Sequence, residues 1–291
     1  MNGILLIDKQ NDWTSNDVVV KLKGILHERR IGHSGTLDPM ATGLLVVFVG
    51  RATRAVEFAE LHDKRYIAAL RPGIVTDTQD TSGNVLSTAA PSFSDSEFNS
   101  VLESFKGEQL QTPPMYSAIK VKGKRLYEIA RSGGEVERTP RKISISALEC
   151  IGRNPENDYI LDVRCSKGTY IRTLCNDIGE KLGCGACMSS LRRVEAGCFN
   201  VSQAHTIDEV QRFADEGKVE KLLLPVDSLF KGIRRCTVSA NPESKLRCGN
   251  QVRTTLPAGD YLVYSESGEF LLLGKVEDGL MKTVKSFFEV K

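Results

Sequence analysis

The sequence predicts an α+β fold: a body built on a large mixed, mainly antiparallel sheet flanked by helices, followed by a small β-barrel-like domain. Three observations carry that expectation. Ile143, Ile145 and Ala147 alternate with polar neighbours, as do Tyr159, Leu161, Val163 and Cys165, the pattern of half-buried strands. Helix starts are spelled out as capping boxes at Ser94-Asp95-Ser96-Glu97 and Thr206-Ile207-Asp208-Glu209. Beyond residues 225–232 the pattern turns to short strands (261–264 and 270–273) with turns at 257–260 and 266–268. A chain of 291 residues has room for about two domains, expected here as 1–230 and 231–291.

The other elements follow in order. Residues 3–7 form a short apolar strand. After the turn-prone Lys9-Gln10-Asn11-Asp12, Ser15 is the expected cap of a helix. Asp17 stands in its first turn, and Val18, Val19, Leu22, Ile25 and Leu26 make its buried stripe. A loop over 32–39 leads into 44–49, the longest unbroken apolar run. Its six residues suit a buried strand, since a membrane span needs about 20. Residues 66–70 read as a strand, and Phe98, Val101, Leu102 and Phe105 follow the first capping box at helical spacing. Ile171, Leu174, Cys175, Ile178 and Leu182 define a helix ended by Gly183.

With 41% hydrophobic and 26% charged residues and a mean hydropathy of −0.21, the chain has enough apolar material to fold. Its 25 Gly and 10 Pro exclude collagen-like and low-complexity classes. The first residues lack the basic and apolar regions of a signal peptide, so a cytoplasmic protein with eight reduced cysteines is expected. The net charge of +2 hides an uneven distribution: residues 112–142 carry +5, residues 231–291 carry +3, and the rest is acidic. That suggests a polyanion gripped at two places; a solvated charged face is the plainer alternative.

Motifs for common chemistries are missing. The histidines at 27, 33, 62 and 205 have no partners at ligand spacing, and no second pair completes Cys184-Gly185-Ala186-Cys187 as a zinc site. These cysteines read as packed thiols, and no metal is expected. Neither a dinucleotide fingerprint, a P-loop nor a Gly-x-Ser-x-Gly elbow occurs, so no cofactor is expected. Residues 76–83 read as an acidic turn between strands. The loop at 32–43 stands apart, with two glycines within four residues, a histidine, and an Asp-Pro step that biases Asp38 towards an extended backbone.

Gly32-His33-Ser34-Gly35-Thr36-Leu37-Asp38-Pro39 with Ala41-Thr42-Gly43-Leu44-Leu45 resembles the signature of the TruB family of tRNA pseudouridine synthases. Leu6-Ile7-Asp8-Lys9 with Thr14-Ser15-Asn16, then Asp63-Lys64-Arg65-Tyr66 with Thr76-Asp77-Thr78, resemble further family motifs. Cys165-Ser166-Lys167-Gly168-Thr169-Tyr170-Ile171-Arg172 and Leu191-Arg192-Arg193 continue the match in order. The resemblance implies the pseudouridine-synthase catalytic fold over 1–230 and, with weaker signals, a PUA-like RNA-binding domain over 231–291. It implies Asp38 as nucleophile, Tyr66 stacked on the target base and acting in proton transfer, and Arg172 paired with the catalytic carboxylate. His33, Tyr170 and Leu191 match positions that contact bound nucleotides, and Lys9 matches a basic position of the same site. The implied substrate is the T-arm of tRNA, with the uridine at tRNA position 55 as target. A monomer with no obligate protein partner is expected.

The residues suit that chemistry. Breaking a glycosidic bond, turning the base and rejoining it through C5 needs a nucleophile, a base and a closed site. Desolvation raises a carboxyl's pKa, and a guanidinium such as Arg172 opposes this because it stays charged when buried. The target base must be flipped out of its loop at a cost of a few kcal/mol, and His33 is flat enough to fill the vacated stack. Residues 112–142 carry Lys120, Lys122, Lys124 and Arg125 among apolar anchors, and read as an arm that closes on the RNA backbone. Two alternatives stay open: a non-catalytic RNA-binding or remodelling protein, and the guide-RNA-dependent relative of the family.

Overall fold

The apolar run at 44–49 is apolar on both faces because both faces of its strand are covered. In the computed structural model, which describes residues 1–288 apart from Ala118 and Lys122, that run lies in the third strand of a nine-stranded sheet. The chain opens with β1 (Gly3–Lys9), α1 (Ser15–Leu26), β2 (Ile31–Ser34) and β3 (Thr42–Val49), then α2 (Val56–Ala59) and β4 (Lys64–Pro72). A hairpin of β5 (Ile74–Thr76) and β6 (Val85–Thr88) precedes α3 (Asp95–Glu103) and β7 (Gly107–Gln111). The basic segment holds a small hairpin, β8 (Lys120–Val121) and β9 (Lys124–Arg125), with α4 (Leu126–Arg131). Then come β10 (Arg141–Arg153), β11 (Tyr159–Cys165), α5 (Ile171–Lys181), β12 (Ala186–Ala196), β13 (Phe199–Asn200) and α6 (Ile207–Asp215).

The large sheet runs β1-β3-β12-β4-β11-β10-β7, with β2 beside β3 and β13 beside β12. Its pairings are antiparallel except between β12 and β3, which meet in parallel over Arg192–Thr42 and Arg193–Gly43. The mixed, mainly antiparallel sheet expected from sequence is therefore present. Because β1 takes one edge of β3, β2 and β12 share the other, β2 along Val46–Val49 and β12 at Thr42 and Gly43. The loop that joins β2 to β3, carrying Asp38, leaves the sheet beside that junction.

Period-two alternation decides which core each side chain joins. Leu5, Ile7, Leu45, Val47 and Val49 pack against Val18, Leu22 and Ile25 of α1 and Val210 of α6. Their neighbours Ile4, Leu6, Leu44, Val46 and Phe48 face the other way. The β4–β11–β10 half has its own core, closed by Phe98 and Leu102 of α3 and Leu174, Cys175 and Ile178 of α5. Both expected capping boxes form, on α3 and α6. The first helix differs from expectation: its cap is Thr14, whose hydroxyl accepts from the N–H of Asp17, while Ser15 is buried inside the first turn.

The tail forms a second sheet from β14 (Arg234–Val238), β15 (Val252–Arg253), β16 (Gly259–Ser265), β17 (Phe270–Glu277) and β18 (Leu280–Ser286), with α7 (Ala240–Arg247). Its order is β14-β16-β17-β18-β15, with β14 and β16 parallel. This sheet leans on the body. Leu262, Leu273 and Phe287 share one apolar cluster with Ile4, Phe48, Ala52, Ala55 and Phe230. Lys285 bridges to Glu57 at 2.6 Å, Arg54 donates to the Ser286 hydroxyl at 2.9 Å, and Arg51 donates to the Phe288 carbonyl. Among the described residues, no helix is long and apolar enough to cross a membrane.

Candidate active site

The turn carrying Asp38 is held from below by residues of the first forty. The Ser15 hydroxyl accepts from the N–H of Leu37 at 2.9 Å and donates to its carbonyl at 3.2 Å. On the other side of Asp38, the Lys9 ammonium donates to the carbonyl of Pro39 at 3.0 Å, and to those of Gln10 and Trp13 at 2.9 and 2.6 Å. The Ala41 N–H returns to the Asp38 carbonyl at 3.0 Å. Lys9 is thus an internal strut, 1% exposed, and presents no charge to an RNA surface; burial brings its pKa down to about 8.

Arg172, in the first turn of α5, meets the Asp38 carboxylate at two points, Nε to Oδ2 at 3.0 Å and Nη2 to Oδ1 at 3.3 Å. The Asp38 side chain keeps 37% of its surface open to water, whereas that of Arg172 keeps 6%. Packing around the carboxyl pushes its pKa up, and the Arg172 guanidinium opposes that rise by favouring the ionised form. The other Arg172 donors are also used: Nη1 reaches the Thr78 carbonyl at 3.0 Å and Asp80 Oδ2 at 3.3 Å, and Nη2 reaches the Tyr116 carbonyl at 2.8 Å.

Asp80 is a buried carboxylate beside Arg172 that sequence reading passed over. The acidic turn over 76–83 lies against β12, with the Met188 N–H on the Gln79 carbonyl and the Thr81 N–H on that of Met188. That buries Asp80 to 3% exposure, its carboxylate accepting from the Thr78 hydroxyl at 2.8 Å and the Ser82 N–H at 3.0 Å. The available signal was Thr76-Asp77-Thr78, two residues short of the carboxylate that turns inward. Gln111 is a second omission. Its amide accepts from the Tyr170 N–H at 2.8 Å and donates to the Tyr170 carbonyl at 3.0 Å, fixing the residue that starts α5.

Tyr66 on β4 and Leu191 on β12 are buried in one cluster with Leu37 and Ala41, on either side of Asp38 in sequence. Burial raises the Tyr66 pKa, and the Arg193 guanidinium beside it acts in the opposite sense. His33 on β2 has a buried Nδ1 without a hydrogen-bond partner, and burial first, Arg193 second, depress its pKa, so the ring is neutral at neutral pH. The structure therefore gathers Asp38, Tyr66, Arg172, His33, Tyr170, Leu191 and Lys9. Of the basic residues of the arm, Lys120 belongs to β8 and Lys124 and Arg125 to β9, and Lys122 lies outside the described residues. The base of the arm touches Arg172 through the Tyr116 carbonyl.

Cys184 and Cys187 are both buried, and burial lifts the Cys187 thiol to about 11. Among the described residues, no group of His, Cys, Asp and Glu is arranged to hold a metal ion.

Known proteins match this chain along its length. The N-terminal domain of the TruB family pseudouridylate synthases matches residues 23–171, and the tRNA pseudouridylate synthase B C-terminal domain matches 172–231. The chain is similar to the tRNA pseudouridine synthase B of Opitutus terrae, with 46% identity over 78% of this chain and 93% of that protein. It is 40% identical to the Clostridium kluyveri protein of the same name over 99% of this chain and 100% of the relative. Among solved structures, it resembles a chain of an H/ACA ribonucleoprotein bound to a substrate RNA containing 2′-deoxyuridine. The TM-score is 0.73 at 22% identity, over 99% of this chain and 85% of that one, a likeness of fold. With two family models matched in order over residues 23–231 and close relatives aligned over nearly their whole length, the chain belongs to the TruB family of pseudouridylate synthases.

Proposed function

We propose that this protein isomerises uridine to pseudouridine in the T-loop of tRNA, at tRNA position 55, acting on the RNA by itself in the cytoplasm and without a cofactor. The observation that carries the reading is the two-point Asp38–Arg172 contact, set against buried Tyr66. Asp38 supplies the nucleophile that holds the intermediate while the glycosidic bond is open. Arg172 keeps that carboxylate ionised, and Asp80 keeps Arg172 in place. Tyr66 stacks on the flipped base and takes its proton, Tyr170 and Leu191 line the nucleotide site, and His33 fills the stack the base has left.

The arm over 112–142 clamps RNA phosphates, and its contact through the Tyr116 carbonyl ties that clamp to the catalytic guanidinium. Residues 231–291 are read as a PUA-like RNA-binding domain that grips a more distant part of the tRNA. The names of the curated relatives support the substrate class.

The test is incubation of purified protein with an unmodified tRNA transcript, followed by mapping of pseudouridine. Product at position 55, without added RNA or protein, is the expected result. A requirement for a guide RNA would favour the ribonucleoprotein relative, and tight binding without product would favour a remodelling protein.

A further inference from the structure

Arg193 on β12 is the bulkiest wholly buried side chain among the described residues, 1% exposed. No carboxylate among those residues lies within ion-pair distance of it. Its Nε donates to the Leu44 carbonyl at 2.7 Å and its Nη2 to the Gly35 carbonyl at 2.8 Å. The signature loop is shaped to admit it. At Gly35 (φ +69°) a Cβ would come within 3.1 Å of Arg193 Nη1, and at Gly43 (φ +96°) within 2.3 Å of the Arg193 carbonyl oxygen. A charge buried without a counter-ion is costly, and carbonyl contacts alone would be met by a neutral donor. Directly across the strand pair from Arg193 stands Tyr66, partnered to it in register.

We propose that Arg193 is the positioning residue for Tyr66: it fixes the phenol from the adjacent strand and keeps a positive charge beside the oxygen that takes the C5 proton. This rests on the reading of Tyr66 as proton acceptor. Once C5 is joined to the sugar, the C5–H bond breaks and its electron pair restores the C5=C6 double bond. The C6=N1 pair passes to N1, which is protonated from solvent, and the Tyr66 phenolate leaves as the phenol. The charged and titratable groups that act on Tyr66 are Arg193 from β12, Cys165 from β11 and Asp38 from the loop. Burial disfavours the phenolate most; of these three groups Arg193 favours it, and the other two, when ionised, oppose it. Lys9, Lys64 and His33 also stand near Arg193; burial above all, and the Arg193 charge as a smaller cause, lowers the pKa of each.

The experiment is single-turnover kinetics of the full chain on an unmodified tRNA transcript from pH 6 to 10, for wild type, Arg193→Met, Arg193→Lys and Tyr66→Phe. Arg193→Met is expected to be about 100-fold slow at pH 7, with the rising limb displaced upward by about one pH unit, so that the deficit shrinks as pH rises. Arg193→Lys, which keeps the charge should the methionine variant fail to fold, is expected to be about tenfold slow with its limb near that of wild type. A deficit of equal size at every pH in Arg193→Met, or a wild-type rate in both variants, overturns the inference. A Tyr66→Phe enzyme that keeps the wild-type limb overturns the reading of Tyr66 as acceptor. Absence of product from wild type overturns the proposed function instead.

Discussion

Asp38 and Arg172 lie 134 positions apart in the chain and meet at two points, Nε on Oδ2 and Nη2 on Oδ1. The same guanidinium also serves Asp80, Thr78 and Tyr116. A lysine has one nitrogen to place and cannot address both carboxylates with the geometry of a planar fork. Arg172→Lys is therefore expected to lower single-turnover rates by at least about 100-fold while tRNA affinity stays within a few-fold. A rate like that of wild type would reduce the contact to an ordinary ion pair.

Asp38→Asn should give no product and bind tRNA as wild type does, because the amide keeps the size and polarity of the group but not its nucleophilicity. Stability should move the other way. Packing raises the folded-state pKa of this carboxyl above 3.8, so its stabilising contribution is complete only below 3.8 and is lost as pH rises through the folded value. At pH 7 the carboxylate is a burden, and the asparagine variant should melt no lower than wild type, any advantage fading towards pH 4. A clear drop in melting temperature at pH 7 would contradict this.

Lys9→Met removes a buried charge but strands the carbonyls of Gln10, Trp13 and Pro39. In wild type the cost of burying the charge is complete below pH 8 and eases as pH climbs from about 8 towards 10.5. Unmet buried acceptors cost about 1–3 kcal/mol each, so the missing bonds should win and the variant should be less stable by about 1–3 kcal/mol. With Pro39 released beside Asp38, turnover should fall too. Unchanged denaturation and rate would show that Lys9 holds nothing.

Neutralising Lys120, Lys122, Lys124 and Arg125 should weaken tRNA binding and flatten its salt dependence, by about 0.7–0.9 in log–log slope for each phosphate no longer gripped. Turnover at saturating RNA should fall as well, since the arm is tied to Arg172 through Tyr116. Filter binding over a range of salt, with single-turnover rates, checks both. An unchanged slope would remove the arm from the interface.

Removing residues 232–291 should do more than weaken RNA binding. It uncovers Phe230 and the body residues Phe48, Ala52 and Ala55, and takes away partners of Arg51, Arg54 and Glu57. Burying one such aromatic contributes about 1.5–3 kcal/mol, so the melting temperature should drop by at least several degrees. Each molecule that stays folded should turn over a T-arm hairpin near the wild-type rate, the defect appearing as a higher Michaelis constant on full tRNA. A truncated chain that melts like the full one would show the two sheets to be energetically independent.

Local rules made much of this legible. The period-two runs at 143–147 and 159–165, the apolar run at 44–49 and the capping boxes before α3 and α6 depend on neighbours in sequence, and each appears as expected. The resemblance named Asp38, Tyr66 and Arg172 because short motifs surround them. What stayed hidden depends on tertiary packing. Ser15 and Thr14 are equivalent caps by residue type; the choice fell to Thr14 because Ser15 is drawn to Leu37, 22 positions away. Asp80 differs from Asp77 only in which way its turn folds onto β12, and Lys9 looks like a surface cation until the Pro39 carbonyl lies over it. Partners distant in sequence leave no trace in spacing.

The place of β12 in the sheet has a consequence for how the enzyme comes into being. This strand is made late, yet it lies between β3 and β4, which are made early. Until it arrives, an emerging polypeptide carries two apolar strands whose facing edges lack their eventual partner, the exposure that invites wrong pairing. Insertion is a long-range step and so a slow one. The same strand delivers Leu191 and Arg193, and it follows directly on the helix that bears Arg172. Completion of the sheet is also what seats Leu191 against Leu37 and Ala41 and Arg193 on the Gly35 carbonyl, so a chain stalled before it carries an Asp38 loop without those supports.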